Sequence, residues 1–430
     1  MYMKPLYADI IAVGSELLLG GRVDSNSVFV SNLLAECGIA VRKKISVGDH
    51  RADIQEALRA SLKRADVIVL TGGLGSTLDD CTREAVAETF RRPLIRRKQA
   101  YENLQERFRR FGRAVTPLLA KQALIPSGAR MLANPVGTAS GFLMREGQSV
   151  IVVLPGVPRE AKVMMASQVQ PALRKIFKST RRYWFHAFNT FGLPETDVQK
   201  QLDLILMDYA NTQFGLLASP RGVKVTVSCW VVGDSQSSVK KKEQSPFFPE
   251  WNHLIKQVRD CLGPWLFSEG ERTMEEIVGE LLRGHSWTIA LAESCTGGLI
   301  AHRLTDVPGS SLYLDRGVVS YSNQSKRECV GIPAPLLRRY GAVSSHVAEA
   351  MAKGIRRRSR VDLGVGVTGI AGPGGGTVKK PVGLVYGAID GPRGTQCRRW
   401  QFWGDRTEIK LKTSQAVLDL IRRYANEAAV

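Results

Sequence analysis

The stretch TIALAESCTGGLIAHRLT, residues 288–305, joins a short apolar run to a serine-bearing turn and then to a helical pattern. The run at 288–292 has the length and residue types of a buried strand, and Gly297 and Gly298 mark a sharp turn. A strand, a tight turn and a helix in this order are typical of an α/β domain with a largely parallel sheet. We therefore predict such a domain around this stretch, with Ser294 at the turn.

The same pattern recurs towards the N-terminus. Apolar runs at 8–13 and 66–71 are each followed by glycine and a helical pattern, whereas 183–233 alternates like the strands of a small α+β unit. Residues 234–250 are polar and predict a loop. We expect the α/β fold class, with two α/β domains of mostly parallel sheets joined by a small α+β connector. The predicted domains are residues 1–170, 171–268 and 269–430.

Length and composition restrict the class of protein. The chain has 430 residues, which is more than one hydrophobic core usually organises, so two or three domains are expected. No run of about 18 uncharged apolar residues is present, and the first residues fit a buried strand better than a secretion signal. Seven cysteines, an odd number without a C-x-x-C pair, argue against a disulfide framework and a thiolate zinc site. We expect a cytoplasmic protein that does not span a membrane.

The net charge of +20 is compatible with nucleic-acid binding, with small phosphorylated substrates or with a basic solvent-facing surface. The densest basic run lies at 91–113 and predicts a helical arm with a solvated face. It lacks an aromatic stacking platform, zinc-finger spacing and helix-turn-helix punctuation. The pattern therefore favours a solvated basic face over a nucleic-acid partner.

The C-terminal block contains a candidate nucleophile and a candidate base. Ser294 at a strand–helix turn could attack an electrophile, although a serine there is more often only a helix cap. Lys326, in the segment that also carries Tyr321 and Asn323, could act as a general base if burial lowers its pKa. It could equally be the solvated basic end of a helix. The residues alone leave these alternatives open.

Two segments of this block could hold an anion. Backbone N–H groups near Thr296 and Gly297 lie at a helix start, where they could receive an oxyanion or a phosphate. The segment VGVTGIAGPGGG at 365–376 has six glycines within eleven positions, so its backbone can approach a ligand closely. Such a segment can also be a flexible turn, and alone it is a weak signal.

Together, AESCTGG, GVVSYSNQSK, GAVSSHVAEAMAKGIR and TGIAGPGGG resemble, in order and spacing, the C-terminal domain of the CinA family. That domain is associated with deamidation of nicotinamide mononucleotide to nicotinic acid mononucleotide and ammonia. The resemblance implies Ser294 as the nucleophile, Lys326 as its base and Tyr321 as an assisting group, without a cofactor. The substrate-binding residues that we predict for this domain are Thr296, Gly297, Gly298, Asn323, Thr368, Gly369, Gly372, Gly374 and Gly375.

The N-terminal block has a second glycine-rich turn, TGGLGST at 71–77, directly after an apolar run. Such a turn presents N–H groups suited to phosphate oxygens. Asp79 and Asp80 follow, and paired carboxylates beside a phosphate can hold Mg²⁺. They could equally be a favourable acidic first turn of the next helix.

This block resembles the molybdopterin-binding-like domain that opens full-length CinA proteins, through GSELLLGGRVDSNS, ISVGDHRADIQEAL, LTGGLGSTLDDCTREAVAETF, NPVGTASGF and LPGVPREAK. The resemblance implies hydrolysis of ADP-ribose to AMP and ribose 5-phosphate, with Mg²⁺, Co²⁺ or a similar divalent metal. The predicted binding residues are Gly72, Gly73, Gly75 and Thr77, and the predicted metal ligands are Asp79, Asp80 and Glu16. The chain departs from the commoner pattern at Ser15, Ser76 and Ser140. Serine in place of proline at the last two loosens the preset backbone.

Three hypotheses follow. The first is a bifunctional hydrolase acting on nicotinamide mononucleotide and ADP-ribose. The second is a single amidase whose N-terminal domain is a pterin-binding module or an assembly scaffold. The third, suggested by charge and by the family's association with competence, is a DNA-associated binding protein. The resemblance also implies a homo-oligomer.

Overall fold

The computed structural model describes residues 5–177, 179, 181–209, 211–232 and 247–427. Most of the loop predicted at 234–250 lies outside these residues. The chain divides into two compact units, Met1–Trp184 with Trp230–Phe248 and Phe185–Cys229 with Pro249–Val430. Within the described ranges, no helix is long and apolar enough to cross a bilayer.

The first unit is built on a six-stranded sheet of order β2-β1-β3-β8-β7-β6. Strands β2, β1, β3 and β8 run parallel, whereas β7 and β6 are antiparallel, and β4 and β5 pair as a separate ribbon. The strands are β1 (Leu6–Val13), β2 (Ile39–Val47), β3 (Val67–Thr71), β4 (Leu94–Arg96), β5 (Leu124–Pro126), β6 (Arg130–Leu132), β7 (Gly141–Glu146) and β8 (Ser149–Leu154).

Alternate residues of the central strands pack into two hydrophobic cores, one on each face of this sheet. Ile10 packs into one apolar cluster and Ile11 into the other, as the two-residue period of a strand requires. The helices of this unit are α1 (Ser15–Leu18), α2 (Ser25–Glu36), α3 (Arg51–Leu62), α4 (Thr82–Thr89), α5 (Lys98–Arg109), α6 (Pro117–Ala120), α7 (Pro158–Met164) and α8 (Gln170–Phe177). The basic run at 91–113 thus contains β4 as well as helix α5.

The second unit contains most of a four-stranded sheet of order β10-β11-β9-β12. The strand pairs β10–β11 and β9–β12 are antiparallel, as expected of an α+β element. The elements of this part are β9 (Arg181–Thr190), α9 (Glu195–Leu206), β10 (Gln213–Ser219), β11 (Gly222–Val232), α10 (Phe248–Leu262) and β12 (Leu266–Glu269).

A five-stranded sheet of order β14-β13-β15-β16-β17 forms the rest of this unit. Strand β13 is buried along its length between parallel neighbours β14 and β15, and β16 and β17 are antiparallel. The elements are α11 (Met274–Gly284), β13 (Ile289–Glu293), α12 (Leu299–Thr305), β14 (Leu314–Val319), α13 (Asn323–Val330), α14 (Ala334–Tyr340), α15 (Ser345–Ser359), β15 (Leu363–Gly369), β16 (Leu384–Gly391), β17 (Gly394–Gln401) and α16 (Arg406–Glu427). The predicted α/β class is confirmed, with antiparallel strands at one side of each larger sheet.

Candidate active site

Ser294 lies directly after the central strand β13, at the carboxyl end of the parallel strands. The neighbouring strands end at Val319 and Gly369, so the segments that follow all three strands meet at one edge of the sheet. Ligand sites in parallel α/β sheets form at this edge. Ser294 is 8% exposed, so its hydroxyl is shielded from bulk water and still reachable from the edge.

Lys326 contacts the hydroxyl of Ser294. It is the fourth residue of α13 and is 1% exposed, and its Nζ lies 2.9 Å from Ser294 Oγ. The same nitrogen lies 2.8 Å from the carbonyl oxygen of Ser320 and 3.1 Å from that of Tyr321. The structure therefore brings together the predicted nucleophile and the predicted base, which come from two different βα units.

The surroundings of Lys326 favour the neutral amine. Its hydrogen-bond partners within the described ranges are a hydroxyl and two carbonyls, without a carboxylate. Burial lowers the pKa of Lys326 below its ordinary value of 10.5, because a buried ammonium loses its hydration. A neutral amine can give its two N–H groups to the carbonyls and turn its lone pair towards Ser294, as a general base must.

Cys295, the neighbour of Ser294, is not a competing nucleophile. It is 6% exposed and belongs to the apolar core of the domain. Burial raises the pKa of its thiol to about 12, so the reactive thiolate is scarcely formed near neutral pH.

Glu293, the last residue of β13, caps the start of helix α12. The sequence interpretation missed this residue. Its buried carboxylate accepts hydrogen bonds from the N–H groups of Gly298 at 3.0 Å, Ile300 at 3.2 Å and Ala301 at 2.9 Å. The prediction of free N–H groups at this helix start therefore does not hold for Gly298. A carboxylate at the end of a buried strand was the available signal, because a buried charge requires hydrogen-bond donors.

The turn between Ser294 and α12 leaves two backbone donors beside the nucleophile. The N–H of Gly297 donates to the carbonyl of Ser294 at 3.1 Å and is used within the turn. In the described part of the chain, the N–H groups of Cys295 and Thr296 make no hydrogen bond to an oxygen, and their acceptor is the Cys295 sulfur, which is a weak one. Gly298 has φ +90°, a left-handed conformation that glycine adopts without strain. The turn thus favours Cys295 and Thr296 over Gly297 as oxyanion donors.

The backbone carbonyl and the side-chain hydroxyl of Tyr321 have different hydrogen-bond partners. Its backbone carbonyl faces Lys326, whereas its exposed hydroxyl accepts a hydrogen bond of 2.9 Å from the guanidinium of Arg406. Arg406 also donates to the carbonyl of Gly372 at 2.7 Å. The phenol therefore bonds to Arg406, and it makes no hydrogen bond to Lys326 in the described residues.

Arg406 and Lys410, which the sequence interpretation also missed, lie four residues apart at the start of α16. The Nζ of Lys410 is the atom nearest to a Cβ placed on Gly297, at 3.7 Å. Cations are disfavoured by the dipole at a helix N-terminus, so a basic pair on one face of the first two turns was a signal of function.

The other predicted residues of this domain occupy less central positions. Asn323 is exposed at the first turn of α13. Thr368 is 1% exposed, and its hydroxyl donates to the carbonyl of Ala342 at 2.8 Å. Gly369 ends β15, Gly372 is buried, and Gly374 and Gly375 are exposed in the loop that Arg406 contacts.

In the first unit, the carboxylate of Asp80 accepts hydrogen bonds from the glycine-rich turn after β3. Asp80 accepts hydrogen bonds from the N–H of Gly75 and the N–H of Thr77, both at 2.8 Å, and from the Thr77 hydroxyl at 2.5 Å. The N–H of Gly72 donates to the carbonyl of Leu154, and the carbonyl of Gly73 accepts from Thr82. Several donors predicted to hold phosphate thus have internal acceptors.

The three carboxylates predicted as metal ligands do not lie together in one cluster. Asp79 is exposed. The Glu16 carboxylate lies against Gly14, and Ser15 instead exchanges two hydrogen bonds with Asp49. Among the residues that the structure describes, no three His, Cys, Asp or Glu side chains are grouped closely enough to hold an ion. A cluster of all three predicted ligands is therefore absent from the described residues.

This arrangement predicts a structural effect of Asp80. Replacing Asp80 by alanine removes hydrogen bonds to a charged group, each worth about 1.5–3 kcal/mol. We expect roughly 10- to 100-fold faster amide exchange at Gly75 and Thr77 as the turn opens more often. Hydrogen–deuterium exchange mass spectrometry of the full-length chain, on peptides covering 72–82, measures this. Asp79→Ala is the matched control, and equal exchange in both variants would contradict the assignment.

Comparison with known proteins follows the two units. Residues 271–425 match the CinA C-terminal domain, and residues 9–175 match the probable molybdopterin binding domain. A competence-damage inducible protein of Halothermothrix orenii is 39% identical over 97% of this chain and 98% of its own length. A CinA-like protein of Geotalea uraniireducens is 37% identical over 96% of each chain. A crystal structure of the protein CinA of Thermoplasma acidophilum is 35% identical, with a TM-score of 0.36, over 38% of this chain and 96% of its own.

Proposed function

The chain belongs to the CinA family, and from this we propose that its C-terminal domain hydrolyses the carboxamide of nicotinamide mononucleotide. The products are nicotinic acid mononucleotide and ammonia. The observation that carries the proposal is the contact of 2.9 Å between the buried Lys326 amine and the hydroxyl of Ser294. A serine activated by a neutral lysine is suited to acyl transfer and needs no histidine in that role.

In the acylation step, Ser294 Oγ attacks the carboxamide carbon while Lys326 accepts the hydroxyl proton. The N–H groups of Cys295 and Thr296 are the donors closest along the chain for the oxyanion that forms, and such a donor typically contributes about 3–4 kcal/mol. The tetrahedral intermediate then collapses with cleavage of the C–N bond. Lys326 returns its proton to the nitrogen, and ammonia departs from an ester on Ser294.

In the deacylation step, the same groups act on water. Lys326 takes a proton from a water molecule, whose oxygen attacks the ester carbon. The bond to Ser294 Oγ breaks, the proton returns to that oxygen, and the carboxylic acid is released. One lysine thus alternates between base and acid, as a residue with a lowered pKa can.

The basic pair on α16 supports a phosphorylated substrate. Arg406 joins the glycine-rich loop to Tyr321, and Lys410 faces the turn at Gly297. Guanidinium and ammonium groups beside exposed glycine backbone are a suitable environment for a phosphate monoester. We assign the phosphate of the mononucleotide to this pair, in contrast to the helix start, where Glu293 already occupies the donors.

The lowered pKa of Lys326 sets the expected pH dependence. Only the neutral amine accepts the serine proton, so kcat/KM for ammonia release should rise as the pH increases through this pKa and then level off. The midpoint should lie below the 10.5 of an ordinary lysine. Initial rates between pH 5.5 and 10, at fixed ionic strength, measure the profile. A rate that falls with increasing pH across neutrality would exclude a lysine base.

The proposal is tested by ammonia release from nicotinamide mononucleotide with purified full-length protein in the presence of EDTA. We expect catalytic turnover that chelation leaves unchanged, because the mechanism uses only side chains and backbone. No release from a protein that is folded by circular dichroism would contradict the proposal.

For the N-terminal domain we propose a binding or assembly role, the second of the sequence-based hypotheses. The observation that favours it is the turn at 72–77, whose donors are taken by Asp80. Asp79, Asp80 and Glu16 do not form one cluster in the described residues, so we derive no pyrophosphatase step.

A further inference from the structure

Glu293 holds both ends of the turn that carries the nucleophile. The turn begins at the peptide bond between Glu293, the last residue of β13, and Ser294. It ends at Gly298, whose N–H donates to the Glu293 carboxylate at 3.0 Å. Gly297 and Gly298 have φ of +64° and +90°, in the left-handed region that favours glycine. One side chain therefore closes the short segment 294–297 into a loop.

The same carboxylate fixes the helix that follows the turn. It accepts from the N–H groups of Ile300 and Ala301, in the first turn of α12, at 3.2 and 2.9 Å. Glu293 is 1% exposed, and hydrogen bonds to a charged group are stronger in such a low-dielectric environment than in water. The start of α12 is therefore tied to the central strand of the sheet through one side chain.

Cys295 anchors the middle of the turn. Its side chain belongs to the apolar core of the domain, and a Cβ placed on Gly369 would lie 3.1 Å from its sulfur. The turn is thus held by Cys295 on the core side and by Glu293 at both ends. The N–H groups of Cys295 and Thr296, which we assign to the oxyanion, lie between these anchors.

The base depends on the backbone of Glu293 and not on its carboxylate. The carbonyl of Glu293 accepts from the N–H of Ser320 at 2.8 Å, and the carbonyl of Ser320 lies 2.8 Å from Lys326 Nζ. Within the described ranges, the hydrogen bonds of Lys326 Nζ do not include one to the Glu293 carboxylate. A change in this side chain alone should therefore move the oxyanion donors and leave Lys326 in place.

We propose that Glu293 is a positioning residue for deamidation, whose carboxylate holds the N–H groups of Cys295 and Thr296 where the oxyanion forms. This inference rests on the proposed deamidase function. Donors to an oxyanion act best when they are in place before the charge develops. A misplacement of about 1 Å can lower a rate about 100-fold.

Steady-state kinetics of the full-length Glu293→Gln variant tests this role. The amide has nearly the shape of the carboxylate, but its NH₂ group faces a backbone N–H in place of an oxygen. We expect kcat for ammonia release to fall about 10- to 100-fold. KM should stay within about threefold, since the phosphate contacts on α16 remain. The midpoint of the pH profile should also stay, because Lys326 keeps its partners.

Two inhibitors separate positioning from a loss of folded protein. We expect the carbonyl carbon of pyridine-3-carboxaldehyde to be attacked by Ser294 Oγ, with the serine proton passing to Lys326 and the carbonyl oxygen becoming an oxyanion. Its inhibition constant should rise about 10- to 100-fold in Glu293→Gln, because this adduct needs the same donors. The inhibition constant of ribose 5-phosphate, which probes the phosphate contacts, should not change. A lower kcat with both constants unchanged would overturn the proposal, since inhibition constants do not depend on the amount of folded enzyme.

Hydrogen exchange tests the hydrogen bonds of Glu293 without turnover. In peptides covering 294–301, the N–H groups of Gly298, Ile300 and Ala301 should exchange at least about tenfold faster in Glu293→Gln. Unchanged exchange would overturn the positioning role even if the wild type turns over normally. Faster exchange in a protein whose wild type releases no ammonia would instead contradict the deamidase function.

Glu276→Gln is the matched control. It makes the same chemical change at a glutamate that caps another helix of this unit, α11, and that accepts from the N–H of Thr273 at 2.7 Å. It should leave kcat, both inhibition constants and the exchange of 294–301 at their wild-type values. If Glu293→Gln does not fold, as judged by circular dichroism, Glu293→Asp keeps the charge on a shorter side chain, and the same results are expected of it. Wild-type kcat in the folded variant would overturn the proposal.

Discussion

Ser294→Ala should lower kcat for ammonia release from nicotinamide mononucleotide by at least about 10³-fold, because loss of a nucleophile abolishes the covalent route. KM should change little, since the phosphate contacts that we assign to α16 remain. The hydroxyl is small and lies at the edge of the core, so its removal leaves no large cavity. The measurement is steady-state turnover of the full-length variant, with its circular dichroism spectrum and melting curve recorded in parallel.

Ser311→Ala is the matched control, because Ser311 is an exposed serine of the same unit. It should retain the turnover of the wild type. Wild-type turnover by a folded Ser294→Ala protein would remove Ser294 from the mechanism, and a water molecule activated directly by Lys326 would then be the simpler account.

Lys326→Met should lower kcat by about 10²–10⁴-fold, the usual contribution of a positioned general base. Methionine has a similar length and no titratable group, so the buried site stays filled and the fold should persist. The residual rate should also lose the rise with pH expected of the wild type. A lysine with a purely structural role would change the rate without changing the shape of this profile.

Lys353→Met, at an exposed lysine on α15, controls for loss of a positive charge in the same unit and should leave both rate and profile unchanged. If Lys326→Met is inactive but Ser294 still reacts at normal speed with an acylating inhibitor, the lysine acts only after acylation. A full pH profile in the variant would instead place the base elsewhere.

The Ser294–Lys326 pair was accessible from the sequence because each residue follows a recognisable strand. The apolar run at 288–292 predicts β13, and GVVSY predicts β14, so the topology of a parallel sheet already brings their carboxyl ends together. The family motifs then favour a nucleophile and a base over a helix cap and a solvated lysine. Local pattern and resemblance were sufficient for this half of the site.

Arg406 and Lys410 could not be placed by the same reasoning. Their position depends on how α16 packs across the sheet, through buried residues such as Val417 and Ile421. The contacts are also distant in sequence, because Arg406 lies 34 residues from Gly372 and 85 from Tyr321, and Lys410 lies 113 from Gly297. Periodicity identifies an apolar face of a helix but not the loop that its first turn will contact.

The hydrogen bonds within the turn at 72–77 could not be predicted, for a different reason. The spacing of TGGLGST and the two aspartates is compatible both with a ligand-binding loop and with a loop that satisfies its own donors. Which of these forms depends on the side-chain conformation of Asp80, and an acidic side chain of this kind often bonds to backbone N–H groups a few residues away. The sequence shows both aspartates but does not specify the side-chain conformation of Asp80.

The buried amine of Lys326 has a consequence for the folding equilibrium. In the unfolded chain this lysine titrates at about 10.5, whereas in the folded domain its pKa is lower. Between these two values the unfolded state binds more protons, so folding releases a fraction of a proton and stability rises with pH. As the pH rises through this range, the amine becomes able to accept a proton. Over the same range, the free-energy cost of burying it decreases. Lowering the pH through this range therefore protonates the base and decreases the stability of the domain, and both effects come from the same titration.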